Sequence, residues 1–139
     1  MKRKKSYFYH AIRILTGLLF IIIFFSKMGL LSSAVKRPEM FTSEGFAFIS
    51  AIAATGYVFP AVGIVSLVCG LAFLANRYVA FAAVILIPVT ANFALFHIFL
   101  GFSIDSVFYF FREIAGFIPL ALNLYLLYNQ REKYAKLLK

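Results

Sequence analysis

Residues 78–100, YVAFAAVILIPVTANFALFHIFL, decide the fold. Nearly every position is apolar, and the run is long enough to cross a hydrocarbon core, which takes about 20 residues of α-helix. Three residues break the pattern: Pro88, Asn92 and His97. A soluble core could bury them. A membrane helix could too, at a higher cost, because lipid offers a polar group no partner. The flanking sequence decides between the two settings. A second apolar run, 57–74, comes just before, and only ANR at 75–77 separates them. So short a link forces an antiparallel helical hairpin.

Composition points the same way. Hydrophobic residues make up 63% of the 139, charged residues 14%, and phenylalanine alone occurs 18 times. Soluble domains average about 45–50% apolar and about 25% charged residues. A body of 15.7 kDa cannot hide that much apolar surface, since small domains leave much of it in water. The chain therefore reads as an integral membrane protein. Its net charge of +9 does not point to nucleic acid. The densest basic clusters sit at the two ends, Lys2 to Lys5 and then Arg131, Lys133, Lys136 and Lys139, with apolar runs between them. That pattern suits membrane flanks that face the cytoplasm and anionic lipid. The single cysteine, Cys69, lies in an apolar run. It can form neither an internal disulfide nor a CxxC relay.

Two further runs complete the reading. One covers about 11–31 and the other about 107–128. The expected fold is all-α: one transmembrane domain over 1–139, an antiparallel four-helix bundle with spans near 11–31, 57–74, 78–100 and 107–128. The apolar part of the first run extends beyond the Ile14 to Phe25 core, so it reads as a span rather than a cleaved signal peptide. Between the first two spans, FTSEGFAFISAIAATG (41–56) opens with Thr42 or Ser43 as an N-cap. It predicts a short amphipathic or re-entrant helix, with the alternative that it runs on into the second span with a break near Gly56 and Pro60. An even number of spans and basic ends place both termini in the cytoplasm, along with Arg77. Lys36 and Arg37 then fall outside, with Glu39, Glu44, Asp105 and Glu113.

The polar residues at membrane depth are the candidate functional groups. Arg13 and Lys27, near the two ends of the first span, read as interfacial anchors that snorkel. Gly63, Ser66 and Gly70 form a small-residue stripe for close helix packing. IPVTAN (87–92) is echoed by IPLALN (118–123). Each proline leaves a carbonyl four residues earlier unbonded, at Val84 and Ala115. Asn92 and Asn123, each four residues after its proline, either repair that polarity by bonds between helices or form a polar patch inside the bundle. His97 lies about 28 Å along its helix from the cytoplasmic end, near the outer interface. Thr90 shares its face, while Asn92 points away from it. Asp105, Arg112 and Glu113 belong to the same layer, with Asp105 and Arg112 able to pair. The residues Thr90, Asn92, His97, Arg112 and Asn123 are the candidate ligand-binding set. No catalytic constellation is present. Metal or haem ligation is not expected, because His10, the other histidine, falls at the opposite membrane face.

These residues also carry a family resemblance. In the first span Arg13, Gly17 and Lys27 stand in an R…G…K pattern. The second ends in Gly70, Leu71 and Leu74, followed by Asn76 and Arg77, and the third carries Pro88, Asn92 and His97 as P-x-x-x-N-x-x-x-x-H. The combination, spread over most of the chain, resembles the DoxX-like family of small bacterial four-helix membrane proteins. The chain departs from that pattern at Ser66, where members usually carry an acidic residue. The resemblance implies a multi-pass protein of the bacterial cytoplasmic membrane, and a non-catalytic or quinone-associated subunit of a membrane redox system, with quinone as the cofactor class. A membrane or periplasmic redox partner and a homo-oligomeric state go with it; nucleic acid does not. A scaffold or assembly factor, and an oligomeric carrier for small solutes, stand as alternatives. The chain on its own is not expected to be an enzyme.

Overall fold

A computed structural model of the chain describes residues 2–29, 38, 41–100, 111 and 114–137. Its elements are all α-helices: α1 (Lys2–Lys27), α2 (Ser43–Ala54), α3 (Val58–Leu74), α4 (Val79–Phe99), α5 (Ile118–Asn129) and α6 (Arg131–Leu137). Among the described residues, two stretches are long and apolar enough to cross a membrane, Tyr7–Lys27 and Val79–Phe99. A third is added if α2 and α3 count as one span, which bends by 85° at their junction. The break falls at Gly56, whose φ of +73° suits a residue without a Cβ. The first part of the 107–128 run, 107–110 with Arg112 and Glu113, lies outside the described residues, as do Asp105, Lys36, Arg37 and Glu39.

Each long helix buries one stripe and leaves an equally apolar face outside. In α1 the buried stripe is Arg13, Thr16, Gly17 and Phe20, at helical spacing, while Ile14, Leu15, Leu18, Ile22 and Phe25 are exposed. In α4 it is Val79, Ala82, Ala83, Leu86, Thr90 and Ala94, with Phe81, Leu95, Ile98 and Phe99 exposed. A water-soluble helix of this kind would carry charges on its outer face. Here water would meet a wall of Leu, Ile and Phe. That is the surface a bilayer requires.

The inward stripes carry small residues, and these set the contacts. α1 packs along α3 and also touches α5, while α4 packs on α3 and α5. A Cβ added at Gly70 would lie 2.9 Å from the Gly17 carbonyl oxygen, and one at Gly17 would lie 2.9 Å from the Gly70 carbonyl oxygen. The two backbones touch there, which lets dispersion contacts hold the pair where lipid removes the hydrophobic incentive. Above and below that contact Phe20, Phe73, Leu86 and Leu126 fill the core. Ser66, at the position where the resemblance expects an acid, is fully buried and donates 2.7 Å back to the Val62 carbonyl of its own helix.

The α3–α4 link is a Schellman motif with an asparagine in the glycine position. Asn76 has φ +54°, its N–H donates to the Phe73 carbonyl, and the Arg77 N–H donates to the Ala72 carbonyl at 3.1 Å. Arg13 reaches the same helix end. Its Nη1 donates to the carbonyls of Phe73 and Leu74. That corrects the reading of Arg13 as a snorkelling anchor: its side chain is buried because the last carbonyls of α3 are closer acceptors than any interface.

The two proline-asparagine pairs also part company. Pro88 sits inside α4, whereas Pro119 stands in the first turn of α5, where the missing N–H is not needed. Asn123 is fully buried and its Nδ2 donates to the Ala83 carbonyl at 3.1 Å and to Thr90 Oγ1 at 3.5 Å. Asn92 is exposed and makes no such bond between helices. The Asn123→Leu variant is expected to lose roughly 0.5–1.5 kcal/mol, the range of such bonds in membrane proteins, read as an earlier thermal transition in detergent.

One end of the molecule brings the first turns of α1 together with the end of α5 and with α6. Gln130 Nε2 donates to the Tyr9 hydroxyl at 2.6 Å, and the Tyr134 hydroxyl donates to the Ala80 carbonyl at 2.8 Å. Burial, with a smaller push from Tyr9, raises the pKa of the Tyr134 hydroxyl, so it stays a donor. Arg131 stacks over the Tyr128 ring at 4.3 Å.

Candidate functional site

At the other end, α1, α2, α3 and α4 line a half-open cavity of about 420 Å³. That falls in the range of small-molecule sites, about 300–1,000 Å³. Its formation can be traced to α2. Thr42 caps that helix by accepting from the Gly45 N–H at 3.1 Å, and its hydroxyl donates to the Leu100 carbonyl at the end of α4. One threonine thus starts α2 and pins it to α4. Phe41 and Phe48 then pack on Phe96, with ring centroids 6.2 and 5.9 Å apart. The result is a roof, with Phe48, Ile49 and Ile52 facing the cavity. The Thr42→Val variant removes both bonds. It is expected to destabilise by about 1 kcal/mol, as lost N-caps do, and to speed hydrogen exchange through α2 more than through α1.

The walls are mainly apolar: Val58, Phe59, Val62, Val89, Phe93 and Phe96. Four polar side chains interrupt them, Ser26, Lys27, Asn92 and His97. The Lys27 ammonium lies 4.8 Å from the Phe59 ring centroid and 5.1 Å from that of Phe93. It is therefore held over two phenyl faces, a cation–π arrangement, and not extended to an interface as an anchor would be. The aliphatic part of Lys27 passes Gly63, where an added Cβ would lie 3.5 Å from the Lys27 Cβ. That is ordinary van der Waals contact, so α1 and α3 pack closely here with room left for a methyl group.

A second cavity, about 240 Å³, lies beyond. Ser26, Lys27, Phe93 and His97 border both, and Gly116 and Pro119 close the far side. The His97 ring occupies the place where Gly116 would carry a Cβ, with the Phe117 ring 6.2 Å away. Any side chain at 116 would displace the imidazole.

The candidate residues read from sequence therefore divide. Asn92 and His97 line the cavity together, although helical phase sets them well apart; the cavity is wide enough to take both sides of α4 from Pro88 to His97. Thr90 lies two turns before His97 on the face of α4 that meets α5, but it is buried against Asn123, outside the cavity lining, and donates to the Leu86 carbonyl at 2.8 Å. Arg112 lies outside the described residues. Sequence reasoning passed over Lys27, Phe59 and Phe93. The available signal was the depth of Lys27 in the first span, with Ser26 beside it. Among the described residues no group of histidine, cysteine and carboxylate side chains is arranged to hold a metal. Comparison of the chain with family models, with curated proteins and with solved structures gives no match.

Proposed function

We propose that the protein is a multi-pass membrane protein that holds a small amphiphile of the quinone class in the cavity around Lys27, as a non-catalytic subunit of a membrane redox system. The observation that carries this reading is the cavity itself. An apolar, aromatic-lined space with one cation and three hydrogen-bonding side chains fits an apolar ring whose carbonyl oxygens accept hydrogen bonds. Lys27 and Asn92 supply donors for such oxygens, and Phe59 and Phe93 supply ring faces. The DoxX-like resemblance of the residues in α1, α3 and α4 agrees with it.

The proposal includes an antiparallel four-helix bundle in the bacterial cytoplasmic membrane with both termini in the cytoplasm. Its support is the packing of α1, α3, α4 and α5 in a closed circuit, and the gathering of Arg77, Arg131 and Lys133 at one end. The cavity then opens toward the outer half of the bilayer. Purification in mild detergent followed by solvent extraction tests the reading. Bound quinone near one per chain is the expected result, falling several-fold in a Val89→Trp variant that fills the cavity. Quinone no more abundant than in the surrounding lipid, with no difference between the two proteins, contradicts it.

A further inference from the structure

The charge balance of the cavity carries a further step, which rests on the cavity being a ligand site as proposed above. Lys27 is half-buried, and an ammonium in an apolar space is unfavourable unless something offsets it. Two phenyl faces offset part of that. Among the described residues the carboxylates are Glu44 and Glu132. Glu44 is exposed and accepts from the Ser43 hydroxyl at 2.8 Å. Glu132 belongs to α6, at the opposite end of the molecule. Neither offsets Lys27.

The geometry shows where the balancing charge would sit. Lys27 stands at the junction of the two cavities, with Ser26 and His97 on the same boundary. A headgroup at that junction meets the ammonium and the Ser26 hydroxyl, while the larger cavity takes an apolar body. Phenyl faces present their negative side to the cation and leave its remaining N–H bonds to be satisfied by an acceptor. We infer that the ligand bears a single oxyanion, a carboxylate or an ionised ring hydroxyl on an apolar body, and that Lys27 selects it over neutral analogues. A metal cation would meet Lys27 as a like charge.

Binding to the full-length protein in nanodiscs of zwitterionic lipid tests this, with two matched pairs of probes. One pair is an alkyl hydroxynaphthoquinone, ionised at the working pH, against its methoxy analogue. The other is dodecanoate against dodecanol. The expected result is that an oxyanion binds at least about ten-fold tighter than its neutral partner, a difference of about 1.4 kcal/mol. Lys27→Arg keeps the preference and Lys27→Met reduces it to less than about two-fold. The wild-type comparison stands even if Lys27→Met does not fold. Equal binding of the two naphthoquinones overturns the inference and leaves the quinone reading intact. A preference confined to dodecanoate, with no quinone bound, upholds the oxyanion and overturns the quinone. No binding of any probe overturns both, whereas an oxyanion preference that survives in Lys27→Met overturns the inference alone.

Discussion

Substituting Gly70 with valine is expected to separate α1 from α3 and to produce one of the two largest losses of stability of any single change considered. The reason is the kind of atom in the way. A Cβ at 70 meets the Gly17 carbonyl oxygen at 2.9 Å and the Ile21 backbone nitrogen at 3.3 Å, and backbone cannot rotate aside as a side-chain tip can. Overpacking typically costs about 1–3 kcal/mol, and the Gly70→Val change belongs at the upper end of that range. Thermal unfolding in detergent reads the effect, with Leu71→Val on the outward face as a control expected near zero. Gly17→Ala and Gly70→Ala combined should cost less than the sum of the two. Either alone already moves the helices apart, so the second finds less to disrupt.

The second large effect is expected at Arg13. Its guanidinium bonds the Phe73 and Leu74 carbonyls at the end of α3, where intrahelical N–H donors run out and the Phe73 carbonyl keeps only the Asn76 amide of the turn. Arg13→Met leaves those acceptors in an apolar layer. A loss of about 1.5–3 kcal/mol follows for bonds to a charged donor. Hydrogen exchange should quicken first at the Asn76 and Arg77 amides, whose bonds close the Schellman turn. Arg13→Lys is expected to recover only part, since the lysine side chain is one atom shorter and its ammonium, though it has donors enough for both carbonyls, is not held in place by a planar group. Unchanged exchange at 76 and 77 in Arg13→Met would contradict the capping role.

What was legible in the sequence follows from what each signal measures. The apolar run at 78–100 marks α4 well, because length and hydropathy are properties of one segment. The all-helical, membrane-compatible character follows from composition in the same way. The bend between α2 and α3 was legible only as one of two alternatives; Gly56 permits it, and the aromatic contacts of α2 with Phe96 select it. Pairwise roles were harder. The matched IPVTAN and IPLALN segments suggest matched asparagines, yet a proline in mid-helix and a proline in a first turn leave different neighbours. Asn123 therefore ties α5 to α4, while Asn92 faces a cavity. Lys27 and Arg13 read alike as anchors because each lies near a span end. Their partners, two phenyl rings in one case and two carbonyls in the other, come from helices that sequence spacing cannot place.

The central claim is that a membrane-soluble ligand occupies the cavity between α1, α2, α3 and α4. Photolabelling tests it most directly. The protein in nanodiscs is illuminated with an azido-quinone, and the modified peptides are sequenced with and without excess unlabelled quinone. The account predicts label concentrated on Phe59, Val89 and Phe93, lost on competition and lost in Val89→Trp. Label spread over the outward-facing Leu95 and Ile98 and insensitive to competition would contradict it.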